Sequence, residues 1–334
     1  MKGRNRKATR GRLDVIVPVY NEADALPAFQ QDLAHVLGGV DYVWRVIFID
    51  DGSSDSTPRI LSEMHASDSR MSWLRLSRNF GYQAALTAGL DAADADVVVT
   101  MDGDGEHPPD LIPEMLALHE SGYQIVATSR VTEGRPGIRD WPRQAFYRLL
   151  NLLANTKVSP GVTDFRLLGR PAVEALRALP ERHRYLRGMV AWLGFKSVVL
   201  PYQPVARVGG ESKWSFPQLV RLAGQAILSF SLVPLSIGLI VGVLFLLFAM
   251  CEAIYVISLW LAGRGGEIAP GWSSLMFVLL IVGSSLMVML SIVGIYAGLS
   301  YQEVKRRPVY IVEEAGLETA GSASVSRGEQ HASH

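Results

Sequence analysis

Cysteine is nearly absent from this chain of 334 residues: Cys251 is the only one. A single thiol excludes an internal disulfide framework and a Cys-based zinc site. It lies in an apolar run, where a packed thiol rather than a nucleophile is expected. Net charge is absent too, because 32 basic residues offset 32 acidic ones. The N-terminal stretch "MKGRNRKATRGR" lacks the apolar core of a secretory signal. It reads as a disordered solvated arm, or as an arm touching anionic lipid, where each basic residue contributes about 1 kcal/mol. Between Ile227 and Leu299 charge is scarce, and Glu252, Arg264 and Glu267 are the only charged residues.

That uncharged region holds two candidate spans, one within Leu232 to Leu261 and one within Trp272 to Leu299. Each exceeds the roughly 20 apolar residues that cross a bilayer. The connector "AGRGGEIAPG" carries one basic residue and is flanked by Trp260 and Trp272, whereas Lys305, Arg306 and Arg307 follow the second span. This asymmetry predicts both termini in the cytoplasm. Glu252 inside a span is costly. It either sits near the outer end or faces a partner helix. Two further segments, Trp141 to Asn155 and Trp214 to Phe230, have apolar residues at helical spacing. Each reads as a helix lying flat at a membrane surface or as an ordinary core-facing helix.

The first two-thirds of the chain repeats one form. "LDVIVPVY", "WRVIFID", "MSWLRLS", "ADVVVTM" and "YQIVATSR" are short apolar runs, and the first four lead through polar turns into helical stretches. Strands alternating with helices predict a mainly parallel sheet covered on both faces. Ligands then bind beyond the carboxyl ends of the strands. The polar punctuation falls there: Asn21-Glu22, Asp50-Asp51, Asp102-Asp104 and Ser129-Arg130. "DGDGEHPPD" ends a run of valines with two carboxylates one residue apart. Such a pair repels itself unless a cation sits between. Oxygen-only ligands suit Mg²⁺ or Mn²⁺ on a substrate diphosphate. Gly103 and Gly105 are read as room for close backbone approach to a ligand.

"IVPVYNEADAL", "FIDDGSSDST", "LSRNFGYQAALTAGLDAA", "MDGDGEHPPD" and "GGESKWS" occur together and in order over about residues 12 to 310. In this the chain resembles a family 2 glycosyltransferase of the polyprenyl-phosphate type. That group includes dolichol-phosphate mannose synthase and the bacterial undecaprenyl-phosphate glucosyl- and aminoarabinosyl-transferases. The resemblance implies a GT-A, Rossmann-like α/β catalytic domain at residues 13–213 after a basic arm (1–12). An interfacial helix (214–230), a two-helix transmembrane hairpin (231–300) and a C-terminal tail (301–334) follow. The tail beyond Glu314, small and polar, is expected to be disordered.

The resemblance also implies residue roles. Pro18, Tyr20 and Glu22 frame the nucleotide. Asp50 and Asp51 hold its base or ribose, with Ser53 and Asp55 capping the next helix. Asp102 and Asp104 bind the metal on the diphosphate. Glu106 stands where relatives usually have Gln, and either strengthens metal binding or changes the metal used. His107 is read mainly as a cap or packing group, with a metal role as the alternative. Arg130 grips the lipid phosphate, joined by Arg143, with Arg139 as its competitor. Asp164 and Arg166 belong to the acceptor side or simply pair with each other. Arg207, Ser212 and Lys213 sit on a loop closing over the phosphates. Asp104, Arg130 and Lys213 are the expected catalytic set. The implied reaction is inverting transfer of a sugar to polyprenyl phosphate. UDP-glucose is the first choice of donor, ahead of GDP-mannose and UDP-aminoarabinose derivatives. The implied cofactor is Mg²⁺ or Mn²⁺. The implied partners are nucleotide sugar, polyprenyl phosphate and the bilayer, with a homotetramer suggested by membrane relatives and no nucleic acid. The implied location is the inner membrane. The alternatives from other classes are a non-catalytic membrane scaffold or sugar-nucleotide sensor, a processive polysaccharide synthase and a flippase.

Overall fold

The computed structural model describes residues 10–131, 162–182, 184–203 and 271–317, with scattered positions between 244 and 263. The chain divides into two compact units. The first comprises Met1–Tyr147, Thr156–Lys213 and Pro308–His334, and the second Arg148–Asn155 and Trp214–Arg307.

Valine and isoleucine runs form the strands of the first unit, and short polar turns return the chain through helices. The order is β1 (Arg12–Val19), α1 (Leu26–Leu37), β2 (Val43–Asp50), α2 (Thr57–Ser67), β3 (Met71–Leu76), α3 (Tyr82–Ala92), β4 (Val97–Thr100), α4 (Ile112–Glu120) and β5 (Ile125–Arg130). Then come β6 (Val162–Gly169), α5 (Arg170–Ala178), α6 (Leu186–Trp192), β7 (Ser197–Tyr202) and the distant β8 (Val312–Gly316). All eight strands join one sheet in the order β7-β5-β6-β4-β1-β2-β3-β8. Strands β1 to β4 are mutually parallel, and β5 runs with β7. Strand β6 is antiparallel to both β4 and β5, and β8 is antiparallel to β3. This is the GT-A, Rossmann-like arrangement expected from the sequence.

The central strands read as unbroken apolar runs because both faces are covered. One face of β1 and β2 (Val15, Val17, Val46, Phe48) joins Leu26, Phe29 and Leu33 of α1 and Met115 of α4 in the main core. The other face carries Ile16 and Ile49, against which α3 lies so closely that a Cβ at Gly89 would meet both. That closeness explains the small residues of "QAALTAGL". Each fully buried Val, Leu or Ile contributes about 1.5–3 kcal/mol.

β1 is followed outward by β2 and β3 on one side, and the chain then crosses to β4 on the other. The switch point therefore lies between the carboxyl ends of β1 and β4, where open α/β sheets bind ligands. The sequence reading missed β8. The expectation of disorder beyond Glu314 fails at Ala315 and Gly316, which pair with Leu74 and Trp73. The physical reason is an otherwise open edge at β3. Ser77 N–H donates to Ile311 C=O at 2.9 Å, and Tyr310 Oη donates to Asp91 at 3.0 Å. Gly316 lies on the Trp73 ring, where any Cβ would meet the indole at 2.2 Å.

In the second unit, helix α7 spans Trp272–Val304. Its segment Ile281–Val304 has a mean hydropathy of 1.9 and is the one helix among the described residues long and apolar enough to cross a membrane. Leu286, Met287 and Leu290 point outward. Of the expected first span only scattered positions from Leu244 to Leu261 are described, and these are helical. The interfacial helix at 214–230, the helix at 141–155 and Glu252 lie outside the described residues.

Candidate active site

The topology brings four strand ends and the start of antiparallel β6 to one edge. Tyr20 follows β1 there and is 46% exposed. Asn21 takes a positive φ of 54°, a conformation that Asn tolerates better than most residues. Its amide oxygen accepts from Ser54 N–H at 2.9 Å, and its own N–H donates to Ser53 Oγ at 2.9 Å. Glu22 N–H donates to Thr57 Oγ1 at 3.1 Å. Asp55 accepts from Thr57 N–H at 3.0 Å and from Ala23 N–H at 3.3 Å. These bonds lace the turn after β1 to the turn after β2 and explain the serine-rich stretch. Pro18 is the penultimate residue of β1.

Asp50 and Asp51 end β2 but turn inward, at 0% and 4% exposure. Asp50 Oδ1 accepts from Ser53 N–H at 2.9 Å. Asp51 holds the loop before α3, accepting from Phe80 N–H at 2.7 Å and Gly81 N–H at 2.9 Å. Burial raises both carboxyl groups above the usual range, and these amide donors oppose the shift. Both side chains organise the crevice from beneath.

The acidic turn after β4 is different. Asp102 Oδ1 accepts from Tyr82 Oη at 2.6 Å. Asp102 N–H donates to His107 Nδ1 at 2.9 Å, which assigns the ring proton to Nε2. Burial lowers the pKa of His107, so its imidazole stays neutral. The ring stacks on Phe165 with centroids 5.1 Å apart. His107 thus braces the turn from below, which agrees with its expected packing role. Burial also raises Asp102, with the hydrogen bond from Tyr82 opposing. Among the described residues Asp102 has no arginine or lysine partner. Asp104 Oδ1 accepts from Glu106 N–H at 3.1 Å. A Cβ at Gly103 would lie 3.0 Å from Val19 and 3.2 Å from Val17. Gly105 takes φ +78° to close the turn.

Glu106, the third carboxylate of the expected metal set, lies beside Arg130. Its carboxylate forms an ion pair with Arg130. Arg130 ends β5 opposite Tyr202 of β7, and its Nε donates to Tyr202 Oη at 3.3 Å. A register shift between Ala127 and Ser129 immediately precedes it. Such irregularities re-aim side chains beside active sites.

Asp164 and Arg166 enter from β6. They form a buried pair at 2.6 Å. Arg187 on α6, which sequence reasoning missed, donates to the other Asp164 oxygen through Nε at 2.9 Å and Nη2 at 2.7 Å. Burial pushes the Asp164 carboxyl up, and the two guanidiniums overcome it, leaving it below the usual range. Tyr82 was missed as well. Its signal was local: it directly follows the glycine of "RNFGYQ", at the start of a helix facing the acidic turn. Arg143, Arg207, Ser212 and Lys213 lie outside the described residues.

Residues 14–177 match the model of glycosyl transferase family 2. An uncharacterized glycosyltransferase of Synechocystis sp. is 35% identical over 92% of this chain and 96% of its own length. The chain therefore belongs to the family 2 glycosyltransferases and is an enzyme of that class. It is also similar to a Shigella flexneri protein named SfII prophage-derived bactoprenol glucosyl transferase, 33% identical over 91% of this chain and 98% of that one. An Escherichia coli protein named prophage bactoprenol glucosyl transferase homolog is 32% identical over 90% and 98%, respectively.

Proposed function

We propose that the chain transfers glucose from UDP-glucose to membrane undecaprenyl phosphate, inverting the anomeric carbon. The observation that carries this reading is the meeting of the Asp102–Asp104 turn and Arg130 at the switch-point edge. It occurs in a chain matched over nine-tenths of its length by proteins named for bactoprenol glucosyl transfer.

The donor set fits a hard divalent cation. Asp102 is a half-buried carboxylate that accepts from the Tyr82 phenol, while its backbone N–H donates to His107, and Asp104 adjoins it. No group of three His, Cys, Asp or Glu side chains gathers as a metal site among the described residues. This suits an ion completed by substrate phosphates. Asp102 and Asp104 would hold Mg²⁺ or Mn²⁺, which when bound supplies charge stabilisation for the departing diphosphate. Tyr82 and His107 orient Asp102. Tyr20, Glu22 and Pro18 would frame the nucleotide. Asp50 and Asp51 support its pocket from beneath.

A phosphate monoester is largely dianionic near neutral pH, with a second pKa of about 6, and is already a nucleophile. No strong general base is required. Arg130 would hold the acceptor phosphate, and Arg143, Arg207, Ser212 and Lys213 would add to phosphate binding. Helix α7 and the apolar run before it would form two membrane spans, with Lys305, Arg306 and Arg307 keeping both termini cytoplasmic. The test is purified full-length protein in detergent, given short-chain polyprenyl phosphate and a panel of labelled nucleotide sugars. The expected product is lipid-linked glucose from UDP-glucose, lost in EDTA. Product from GDP-mannose alone would replace the sugar assignment. The absence of product from every donor would support a non-catalytic role.

A further inference from the structure

The ion pair between Glu106 and Arg130 joins the two halves of the acidic edge. Glu106 belongs to the turn after β4, where its backbone N–H donates to Asp104. Arg130 belongs to the end of β5. The carboxylate is mostly enclosed, with its side chain 13% exposed, while the guanidinium is 39% exposed. The arginine therefore keeps contact with solvent while paired to the glutamate. Tyr202 Oη accepts from Nε and fixes the plane of the guanidinium. An anion arriving from solvent meets a cation already neutralised by an enclosed carboxylate.

We infer that Glu106 is an internal competitor for Arg130 that sets the affinity of the site for the acceptor phosphate. This rests on the proposed role of Arg130. A carboxylate and a phosphate both form charge-assisted hydrogen bonds with a guanidinium, and they repel one another across it. The incoming dianion must displace Glu106 or bind beside it, and either course costs affinity. Neutralising Glu106 removes that cost and leaves the arginine in place. The effect is electrostatic, so added salt shrinks it.

The experiment measures equilibrium binding of a fluorescent short-chain polyprenyl phosphate to full-length protein in detergent, with no metal and no nucleotide sugar. Glu106→Gln and Glu106→Ala are both expected to tighten binding about three- to tenfold at low salt, and less at high salt. Arg130→Ala is expected to weaken it, and adding Glu106→Gln to Arg130→Ala is expected to change nothing further. If Arg130→Ala weakens binding while both Glu106 variants bind like the wild type or worse, the inference falls and the role of Arg130 stands. If Arg130→Ala binds like the wild type, the functional reading of Arg130 falls and the inference falls with it.

Discussion

Two acidic pairs end neighbouring parts of the same parallel sheet, Asp50-Asp51 after β2 and Asp102-Asp104 after β4. They differ in what surrounds their oxygens. Asp51 accepts from two backbone N–H groups and Asp50 from a third, and neither is exposed. The Asp102 carboxylate accepts from one phenol, remains half-buried, and meets no arginine or lysine among the described residues. A carboxylate whose charge is met by the backbone is a structural element of the loop. A carboxylate held in place with its charge unmet is prepared for a cation. In the proposed reading the same composition at two strand ends serves two purposes, separated by the N–H donors to Asp51 and by Arg75 beside Asp50.

The sharpest break in that comparison is Asp102→Asn. It is expected to lower kcat/KM by more than about a thousandfold, the scale of removing preorganised charge stabilisation, while thermal unfolding stays near wild type. Asp51→Ala should do the reverse. It leaves the Phe80 and Gly81 N–H groups without their acceptor and is expected to cost about 2 kcal/mol of stability, read by denaturant unfolding. Unchanged stability in Asp51→Ala would remove the distinction.

Smaller effects refine it. Gly103→Ala pushes the turn against Val19 and Val17, and about 1–2 kcal/mol is expected if the valines yield only in part. Activity should fall more than stability, because the turn carries Asp102 and Asp104. Tyr82→Phe removes one hydrogen bond to Asp102 and keeps the ring. A loss of about tenfold in kcat/KM and a weaker affinity for Mn²⁺ are expected, with an unchanged melting temperature. A Tyr82→Phe enzyme with wild-type metal dependence would show that Asp102 needs no such support.

The alternation of apolar runs and polar turns made the four parallel strands and their ligand edge legible, because strands buried on both faces must be continuously apolar. The acidic and arginine positions were legible for the same reason, as polar residues at strand ends. Their partners were not. Arg187 reaches Asp164 from a helix that follows 22 residues later in the chain, and only the fold unites them. The neighbour of Glu106 was equally hidden, because the return of β5 beside the turn brings Arg130 to it. Strand β8, "VEEAG", has no apolar pattern at all. Its place depends on the open edge of β3, on Trp73 beneath Gly316 and on Asp91 beside Tyr310, all far away in sequence.

Manganese binding bears most directly on the acidic turn. Mn²⁺ would be titrated into full-length protein saturated with UDP, and free ion followed by its paramagnetic resonance signal. One bound ion per chain is expected for the wild type and for Glu106→Gln, and none in Asp102→Ala at the same concentrations. Wild-type Mn²⁺ affinity in Asp102→Ala, with the fold intact, would contradict the account.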